Sequence, residues 1–382
     1  MQKITITAIL FFMLSPFVAI SAQLQLQINK LLSNSSVKTI YQDSQGFMWF
    51  GTFDGLNRYD GREMKVYRNQ LKNPGSIPHN YIYCIAEDRD KNLWVGTGQG
   101  VGIYNRNFNS FSRLRFFESA NPKQEYHLNA DTRAIQVDRQ NNVYIGTNGW
   151  GLLFKEQGRS AAVRIYCPEP RTASRLEYYH VSALHVDATD RVWVFVNERG
   201  LFQFDRKSRQ LNLVSTAVRE ATSMTSNDRD ALFIGTSAGV FVWDIGRASM
   251  KAHFQKQLSS PTVSQLSLEN NQKMWVATQN DGISLLTLPA GHVRQLNSGE
   301  RSAYPLSSNA IFTIFIDAQN KKWIGTARGG IHIIDDSQHT FNAPGRNLSP
   351  NFNLSGQFIR SFAESPGYLW IGTSGKCCAA QV

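Results

Sequence analysis

Short apolar segments, separated by turns rich in Gly, Asn and Asp, run along most of the chain. In the segment Trp49–Thr52, side chains of an extended strand alternate between two faces, so Trp49 and Gly51 share one face and Phe50 lies on the other. Both faces are apolar, and such a strand must be covered on both sides. The pattern therefore predicts short β-strands packed between neighbours, and not helices.

One unit recurs along the sequence: an apolar strand, an acidic turn, an aromatic residue, a Gly-Thr pair and a further glycine. The aromatic residues follow one another at intervals of 40 to 50 positions, at Trp49, Trp94, Tyr144, Trp193, Phe233, Trp275, Trp323 and Trp370. A repeat of this length is typical of the four-stranded blades of a β-propeller. We expect each aromatic side chain to be buried against the neighbouring blade.

A polar side chain precedes each of the first seven aromatic residues by six positions. These side chains are Asp43, Asp88, Asp138, Asp187, Asn227, Glu269 and Asp317. Asp and Asn side chains can bond their own backbone in a tight turn. The spacing therefore predicts a hairpin turn before each aromatic residue.

The repeats predict an all-β fold, a seven-bladed β-propeller of four-stranded blades over residues 23–344. Residues 345–382 are then a partial repeat, the start of a second propeller. The last blade of the first ring lacks an outer strand, which we expect Leu24–Ile28 to supply. The alternative is an eight-bladed ring that includes the half repeat. We favour seven blades, because a two-stranded eighth blade would leave an unpaired edge inside the ring.

Several places depart from the repeat, and in the fifth and sixth repeats Phe233 and Ala277 stand in place of Trp and Gly. Phe195 and Val196 replace the Gly-Thr pair of the fourth repeat, and we expect them to crowd that interface. In the eighth repeat, Cys377 and Cys378 occur where an apolar strand is expected. We interpret this ending as a truncated or frameshifted reading frame.

Composition and charge exclude several classes of protein and of binding partner. The 382 residues are 42% hydrophobic and 18% charged, which excludes a disordered chain or a coiled coil. The net charge of +11 comes from scattered basic residues, so we expect no nucleic-acid partner. Residues 1–22 combine Lys3, an apolar run and small residues before Gln23, which predicts a cleaved signal peptide and a periplasmic chain without a membrane span. A membrane anchor is the alternative interpretation of this segment.

The sequence carries no recognisable catalytic set. Its eight histidines are spread over different repeats, and its four cysteines show no CxxC spacing. It also lacks the glycine-rich phosphate loops and the Gly-x-Ser-x-Gly motif of hydrolases. We therefore expect no catalytic residue, no metal and no cofactor, and a chain that is not an enzyme.

The segment Ile40–Asp60 resembles the first repeat of the two-component regulator propeller family, and the resemblance extends over residues 24–375. It implies the periplasmic sensor region of a hybrid two-component system of gut Bacteroidetes. In that family two propellers precede a β-sandwich, a membrane helix, a histidine kinase, a receiver and a DNA-binding domain. The resemblance also implies that the ligand is a glycan fragment and that the kinase part lies outside this chain.

Loops between blades and loops after the Gly-Thr pairs should meet at one end of the strands, where propellers commonly bind ligands. Aromatic rings can stack on sugars, and Arg, His and Asn can bond hydroxyl or carboxylate groups. The candidate ligand-binding residues are Asn80, Tyr81, Arg133, Trp150, Tyr179, His180, Arg199, Asn309 and Arg328. For each of them, an ordinary surface loop with recurring turn residues is the alternative explanation.

Two other functions remain open at this point. Streptogramin-type lyases are also seven-bladed propellers, but they need a histidine, an acid and a metal at one rim, which the sequence does not supply. A protein-binding scaffold is the second alternative, since fold alone does not decide function. The partners we expect are a glycan or oligosaccharide and a second copy of the chain as a homodimer.

Overall fold

The computed structural model describes residues 28–118, 121–168, 179–258, 260–298, 306–335, 359–365, 368–373 and 377–381. The chain divides into two compact units, Met1–Asp336 and Ser337–Val382. The predicted signal peptide at 1–22 lies outside the described residues. Within the described ranges, no helix has the length and apolar character needed to cross a membrane.

The described strands of the first unit form consecutive antiparallel groups, here called sheets 1 to 7. Sheet 1 comprises β1 (Val37–Gln42), β2 (Met48–Thr52), β3 (Gly55–Tyr59) and β4 (Met64–Tyr67). Sheet 2 comprises β5 (Ile82–Glu87), β6 (Leu93–Thr97), β7 (Gly100–Asn105) and β8 (Ser110–Arg113). A hairpin follows, with β9 (Arg115–Glu118) and β10 (Asn121–His127). Sheet 3 comprises β11 (Thr132–Val137), β12 (Val143–Gly149), β13 (Leu152–Lys155) and β14 (Ala162–Ile165).

The remaining strands of the unit follow the same order. Sheet 4 comprises β15 (Tyr179–Val186), β16 (Val192–Val196), β17 (Gly200–Asp205) and β18 (Gln210–Ser215). Sheet 5 comprises β19 (Ser223–Ser226), β20 (Ala231–Thr236), β21 (Gly239–Asp244) and β22 (Ser249–Phe254). Sheet 6 comprises β23 (Val263–Asn270), β24 (Lys273–Thr278), β25 (Ile283–Thr287) and β26 (His292–Leu296). Sheet 7 comprises β27 (Ile311–Ile316), β28 (Lys322–Thr326) and β29 (Ile331–Ile334).

Each sheet is a meander whose first strand faces the first strands of its neighbours. Contacts between these first strands run from β1 to β5, β11, β15, β19, β23 and β27, and from β27 back to β1. Sheet 3 has an added edge, because β9 pairs in parallel with β14. Sheets 3 and 4 are also joined directly, where β12 pairs with β15. The architecture is all-β and propeller-like, as the repeat predicts.

Apolar side chains from neighbouring sheets make the core. The second strands are buried along most of their length, including all five residues of β2 and of β6. One cluster, for example, joins Trp49 of sheet 1 to Ile82, Val95 and Tyr104 of sheet 2. Covering both faces of the second strand explains why its two faces are both apolar in the sequence.

The polar side chain six positions before each aromatic residue has a second role beyond its turn. In Asp138, one carboxylate oxygen accepts the main-chain amides of Gln140 and Asn142, and the other accepts the hydroxyl of Tyr144. The same bond from the aromatic side chain to the acid recurs in other sheets. The pairs are Trp49 and Asp43 at 2.6 Å, Trp94 and Asp88 at 2.8 Å, Tyr144 and Asp138 at 2.8 Å, Trp193 and Asp187 at 3.1 Å, Trp275 and Glu269 at 2.8 Å, and Trp323 and Asp317 at 2.8 Å. In sheet 5 the aromatic residue is Phe233, which has no donor, and Asn227 bonds only within its turn.

The Gly-Thr pair closes the opposite end of the sheets that contain it. In sheet 2, Thr97 donates its hydroxyl to the carbonyl of Gly100, which has a φ of 91° that favours glycine. The glycine of the pair allows close packing, since a Cβ on Gly96 would lie 2.8 Å from the carbonyl oxygen of Thr132 on β11. The pair therefore combines a turn with room for the next sheet.

In sheet 4, Phe195 stands in place of the glycine of the pair. Phe195 is fully buried, in a cluster that includes Ala183 and Ala221. By alignment of β19 with β5, Ala221 occupies the place that Ile82 holds in sheet 2. The small Ala221 therefore offsets the large Phe195, and the crowding predicted from the sequence is relieved in the neighbouring sheet.

The segment Leu24–Ile28, predicted as the outer strand of the last blade, differs from that prediction at its one described residue, Ile28. Residues 24–27 lie outside the described residues, and Ile28 begins a helical turn at residues 28–31 instead of ending a strand. Asn29 nevertheless meets the free edge of β29: its side-chain amide donates to the carbonyl of Ile331 at 3.1 Å, and its oxygen accepts the Ile331 amide at 2.7 Å. A side chain thus makes the bonds that a strand would make at this residue.

The second unit contains one antiparallel meander. Its strands are β30 (Ile359–Ser365), β31 (Tyr368–Thr373) and β32 (Cys377–Gln381). The tail that departs from the repeat in sequence still pairs as a strand, with Gly372 opposite Cys377. Main-chain hydrogen bonding needs no particular side chain, which is why this tail can take the place of the expected apolar strand.

Candidate ligand-binding site

A cavity of about 840 Å³ lies among the first strands of sheets 1 to 7. Residues of β1, β5, β11, β15, β19, β23 and β27 line it. Its volume is in the range of small-ligand sites. We call it the central cavity.

A β-bulge shapes one end of the central cavity. The register of the first strand shifts at its second residue in five of the sheets, for example between Val37 and Thr39, and at its fourth residue in sheet 4. A bulge re-aims the side chain of the extra residue. The six bulged residues all line the cavity, and we call them the bulge ring: Lys38, Tyr83, Arg133, Ser182, Ser264 and Phe312.

Two cations of the bulge ring lie over aromatic rings of the adjacent sheet. The Lys38 ammonium lies 4.7 Å from the centre of the Phe312 ring, and the Arg133 guanidinium lies 4.4 Å from that of Tyr83. Burial and the nearby charge of Arg133 lower the pKa of Lys38 to about 8. The central cavity therefore holds concentrated positive charge at this end.

His180 extends this cluster. Its Nδ1 is 3.4 Å from the side-chain nitrogen of Asn197, whose oxygen lies 2.7 Å from the Ser182 hydroxyl. The Nε2 of His180 is buried and has no hydrogen-bond partner among the described residues, and the same holds for the hydroxyl of Ser264. Burial, and secondly Arg133, lower the pKa of His180. Two polar atoms that line the cavity are thus left without a protein partner in the part of the chain described.

A row of aromatic rings leads from the surface to the bulge ring. Tyr81 is 46% exposed, and its ring centre is 5.2 Å from that of Phe53. Phe53 in turn lies 5.8 Å from Phe312, which lines the central cavity. We call Tyr81, Phe53 and Phe312 the aromatic row. Aromatic faces of this kind can stack on the apolar faces of sugar rings.

The structure brings together three of the nine residues predicted from the sequence. Arg133 and His180 line the central cavity, and Tyr81 begins the aromatic row. Main-chain hydrogen bonds hold the loop after a Gly-Thr pair beside the loop before a first strand, which brings residues of both loops to the same end of the sheets. An example is the bond from the Gly98 amide to the Tyr81 carbonyl. Ligand contact by these residues remains a prediction.

Asn80 and Asn309 are engaged in the loops between sheets. The Asn80 side-chain oxygen accepts the Asn69 amide at 2.7 Å, and the Asn309 oxygen accepts the Ser298 amide at 2.8 Å. The two residues therefore hold equivalent places in their loops. Their side-chain oxygens are committed to the fold.

Tyr179 and Trp150 are packed against the protein, although the sequence suggested loop side chains. Tyr179 is only 7% exposed and belongs to β15, and its hydroxyl donates to the carbonyl of Ile165. Trp150 packs edge-on against Phe116 with ring centres 5.2 Å apart, and the Arg164 guanidinium lies 4.9 Å from its centre. Both side chains therefore pack against the protein, and their contact with a ligand stays a prediction.

Arg199 and Arg328 follow the second strands of sheets 4 and 7. Arg199 donates to the carbonyl of Pro168 at 3.2 Å, and Arg328 is exposed. Neither residue lines the central cavity as the structure describes it. They remain candidates for the rim only.

Sequence reasoning missed Lys38, Phe53, Tyr83 and Phe312. The signal was available in part, since Lys38, Tyr83, Arg133 and Phe312 all stand second in their first strands. Simple alternation does not show which way a bulged residue points. The bulge is therefore the feature that the sequence alone did not reveal.

Comparison with known proteins identifies the repeats. The family model for the two-component regulator propeller matches residues 31–54 and 76–99. A curated relative, histidine kinase P4 of Formosa agariphila, is 27% identical in an alignment that covers 77% of this chain and 25% of that protein. The chain thus spans about a quarter of the length of this relative.

Solved structures agree with the family match. The extracellular domain of a hybrid two-component system of B. thetaiotaomicron superposes with a TM-score of 0.64 and 25% identity, covering 92% of this chain and 46% of that one. A catalytically inactive virginiamycin B lyase of Staphylococcus aureus superposes with a TM-score of 0.56 and 12% identity, covering 79% of this chain and 95% of the lyase. This second likeness shows the fold alone. In the described residues, no group of three or more His, Cys, Asp or Glu side chains is placed to hold a metal ion.

The family match covers two repeats, and the fold extends the likeness over most of the chain. The matched parts of the solved relatives are extracellular domains. Residues 31–54 and 76–99 therefore match two-component regulator propeller repeats, and the fold of the chain is similar to that of the extracellular domains of hybrid two-component systems.

Proposed function

We propose that this chain is the ligand-sensing propeller of a hybrid two-component sensor histidine kinase, exported to the periplasm by a cleaved signal peptide. Similarity to extracellular domains of such systems and to a histidine kinase supports this role. Kinase activity would belong to domains of the longer relatives that the match does not cover. The chain itself would contribute recognition.

The architecture we propose is a ring of seven four-stranded blades over residues 23–344, followed by the first repeat of a second propeller over 345–382. The cyclic contacts of the first strands, which return from β27 to β1, support this ring. The bonds between Asn29 and Ile331 support closure by the N-terminal segment. A closed ring removes the free edges that would otherwise invite aggregation.

The ligand we propose is a glycan fragment that enters the central cavity from the side of the aromatic row. The observation that carries this proposal is the path from exposed Tyr81 through Phe53 to Phe312 at the cavity. Along the same path, Lys38 and Arg133 supply hydrogen-bond donors. Stacking faces beside polar donors are the combination that sugar hydroxyls and sugar rings require.

Calorimetry of the exported chain against a library of oligosaccharides tests the proposal. At least one oligosaccharide should bind, and Tyr81→Ala should weaken its binding by about 1–3 kcal/mol, the usual cost of truncating an aromatic anchor. Phe108→Ala is the matched control, because Phe108 is 79% exposed in the turn between β7 and β8, at the opposite end of its sheet. A library without any binder, or equal losses in both variants, would contradict the proposal.

A further inference from the structure

The charge balance of the central cavity is unusual for a site of neutral ligands. Among the described residues, no carboxylate forms an ion pair with Lys38, whose ammonium contacts the face of Phe312. Lys38 is half-buried, and withdrawing an ammonium from water without a counter-ion costs free energy. The lowered pKa of Lys38 is consistent with such a cost.

Among the described residues, Arg133 has one hydrogen-bonded side-chain partner, Asp131. One terminal nitrogen donates to Asp131 at 2.8 Å, and the rest of the guanidinium lies over Tyr83. A guanidinium carries five N–H donors in a planar fork. Asp131 therefore balances one charge and leaves Lys38 uncompensated.

The carboxylate that does line the cavity is committed elsewhere. Among the described lining residues this is Glu87, which pairs with Arg106 at 2.6 Å and accepts both the amide and the hydroxyl of Ser44. Glu87 is also the last residue of β5, whereas Lys38 and Arg133 stand near the beginning of their strands. It does not neutralise the cations at the bulge ring.

His180 supplies an independent sign that a ligand group is missing there. Because Asn197 uses its oxygen for Ser182, its amide nitrogen faces Nδ1 of His180, which assigns the ring proton to Nε2. That Nε2 is buried, and no described residue accepts from it. A buried donor without an acceptor is rare in proteins and calls for a partner.

We propose that Lys38, Arg133 and His180 form a subsite for an anionic oxygen group, a carboxylate or a sulfate, of an acidic oligosaccharide. The anion would balance the charge of Lys38 and accept hydrogen bonds from Arg133 and Nε2 of His180, while the sugar ring stacks on the aromatic row. This inference rests on the proposed function for the identity of the ligand, but the anion subsite can be tested separately. It goes beyond glycan recognition by naming the charge that selects the ligand.

The first arm of the test uses inorganic sulfate and the full chain. Thermal unfolding is followed in sodium sulfate and in sodium chloride of equal ionic strength, for the parent, Lys38→Gln, Arg133→Gln and Lys65→Gln. Lys65 is the matched control, since its ammonium, like that of Lys38, lies over an aromatic ring, at 5.3 Å from the centre of Tyr67, outside the cavity. Sulfate stabilises proteins in general, and the control variant measures that common part. We expect the parent and Lys65→Gln to gain more than Lys38→Gln and Arg133→Gln.

The second arm uses calorimetry with a tetragalacturonate, its methyl ester and a sulfated tetrasaccharide, which separates a carboxylate ligand from a sulfate ligand. We expect the acidic sugar that binds to lose about tenfold or more in affinity in Lys38→Gln and in Arg133→Gln, because a charge-assisted hydrogen bond contributes more than a neutral one. Lys65→Gln should leave the affinity within about twofold of the parent, as expected for a surface charge.

The outcomes separate the two proposals. Equal sulfate responses in all four proteins, together with neutral and acidic sugars that bind alike, would overturn the anion subsite and leave glycan sensing standing. A sulfate response lost only in Lys38→Gln and Arg133→Gln, without any oligosaccharide binding, would support the subsite and count against glycan sensing.

Discussion

The two ends of the sheets in the first unit differ in how far their side-chain contacts recur from sheet to sheet. At the end of the acidic turns, sheet after sheet repeats one contact, from an aromatic side chain to the carboxylate six positions earlier, as in Trp94 and Asp88. At the other end the backbone turn repeats, as in the bond from Thr97 to Gly100, but the side chains of the bulge ring do not. The bulge ring holds a lysine, a tyrosine, an arginine, two serines and a phenylalanine.

This difference separates residues that build the sheets from residues free to recognise a ligand. A contact that recurs from sheet to sheet stabilises the sheets in the same way, whereas no structural need demands such varied side chains at equivalent bulges. Sheet 5 lacks the contact because Phe233 has no hydrogen-bond donor, but Asn227 still forms the same turn. Substitutions at the acidic-turn end should therefore affect folding, and those at the bulge ring should affect binding.

The largest expected effect is at the acidic-turn end. Trp94 is 2% exposed and packs in a cluster with Ile145 and Leu153 of sheet 3. Trp94→Ala should lower the free energy of unfolding by about 3–5 kcal/mol, the cost of removing a large buried aromatic side chain. Urea unfolding measures this loss, with Ser182→Ala in the bulge ring as the control. If the two variants unfolded at similar urea concentrations, the distinction between the ends would fail.

A smaller effect is expected where the sheets approach most closely. A Cβ on Gly96 would clash with the sulfur of Cys84 and lie 2.8 Å from the Thr132 carbonyl oxygen. Gly96→Ala should therefore cost about 1–3 kcal/mol through overpacking. Gly246→Ala is the control, because its nearest neighbour, Asp244 Oδ1, is 3.6 Å away. Equal urea midpoints for the two alanine variants would show that the Gly-Thr pair is not needed for close packing.

Much of the fold could be predicted from the sequence because the repeat has one physical cause. Trp94, Gly96 and Asp88 recur at fixed spacings since each sheet must be covered on both faces and closed by the same turns. The sequence indicated the turn at Asp88 but not the second hydrogen bond from Trp94, which depends on the direction of the side chains across the hairpin. Strand pairing places those two groups together.

The site was less predictable, for a local reason. Tyr179 looked like a loop residue, but β15 begins there and buries its ring. Lys38 is not among the residues predicted from the sequence, because only the bulge between Val37 and Thr39 re-aims it toward the cavity. Strand boundaries and bulges are set by packing with other sheets, which a single sequence shows poorly.

The smallest expected effect concerns pH and the bulge ring. Burial and Arg133 lower the pKa of Lys38 to about 8 from its ordinary value of 10.5, so the folded chain holds this proton less tightly than the unfolded chain does. The charged and titratable groups around it in the central cavity are Arg133, His180, Tyr83 and, at the far end of β5, Glu87. His180 is neutral above pH 8, because burial lowers its pKa below 6.5, and burial raises the pKa of Tyr83.

Between pH 8 and 10.5 the unfolded state therefore binds more protons at Lys38 than the folded state, and stability rises with pH by this contribution. The rise should be on the order of 1 kcal/mol, since partial exposure of the side chain screens its charge. Because ordinary lysine, cysteine and tyrosine side chains of the unfolded chain also titrate near this range, the measurement is the difference in unfolding free energy between the parent and Lys38→Gln at pH 7.5 and at pH 10. The parent should gain relative to Lys38→Gln as pH rises, and Lys65→Gln should follow the parent. A difference that stays constant over this range would mean that Lys38 is solvated like an ordinary surface lysine. The bulge ring would then not differ from the acidic-turn end in its electrostatics.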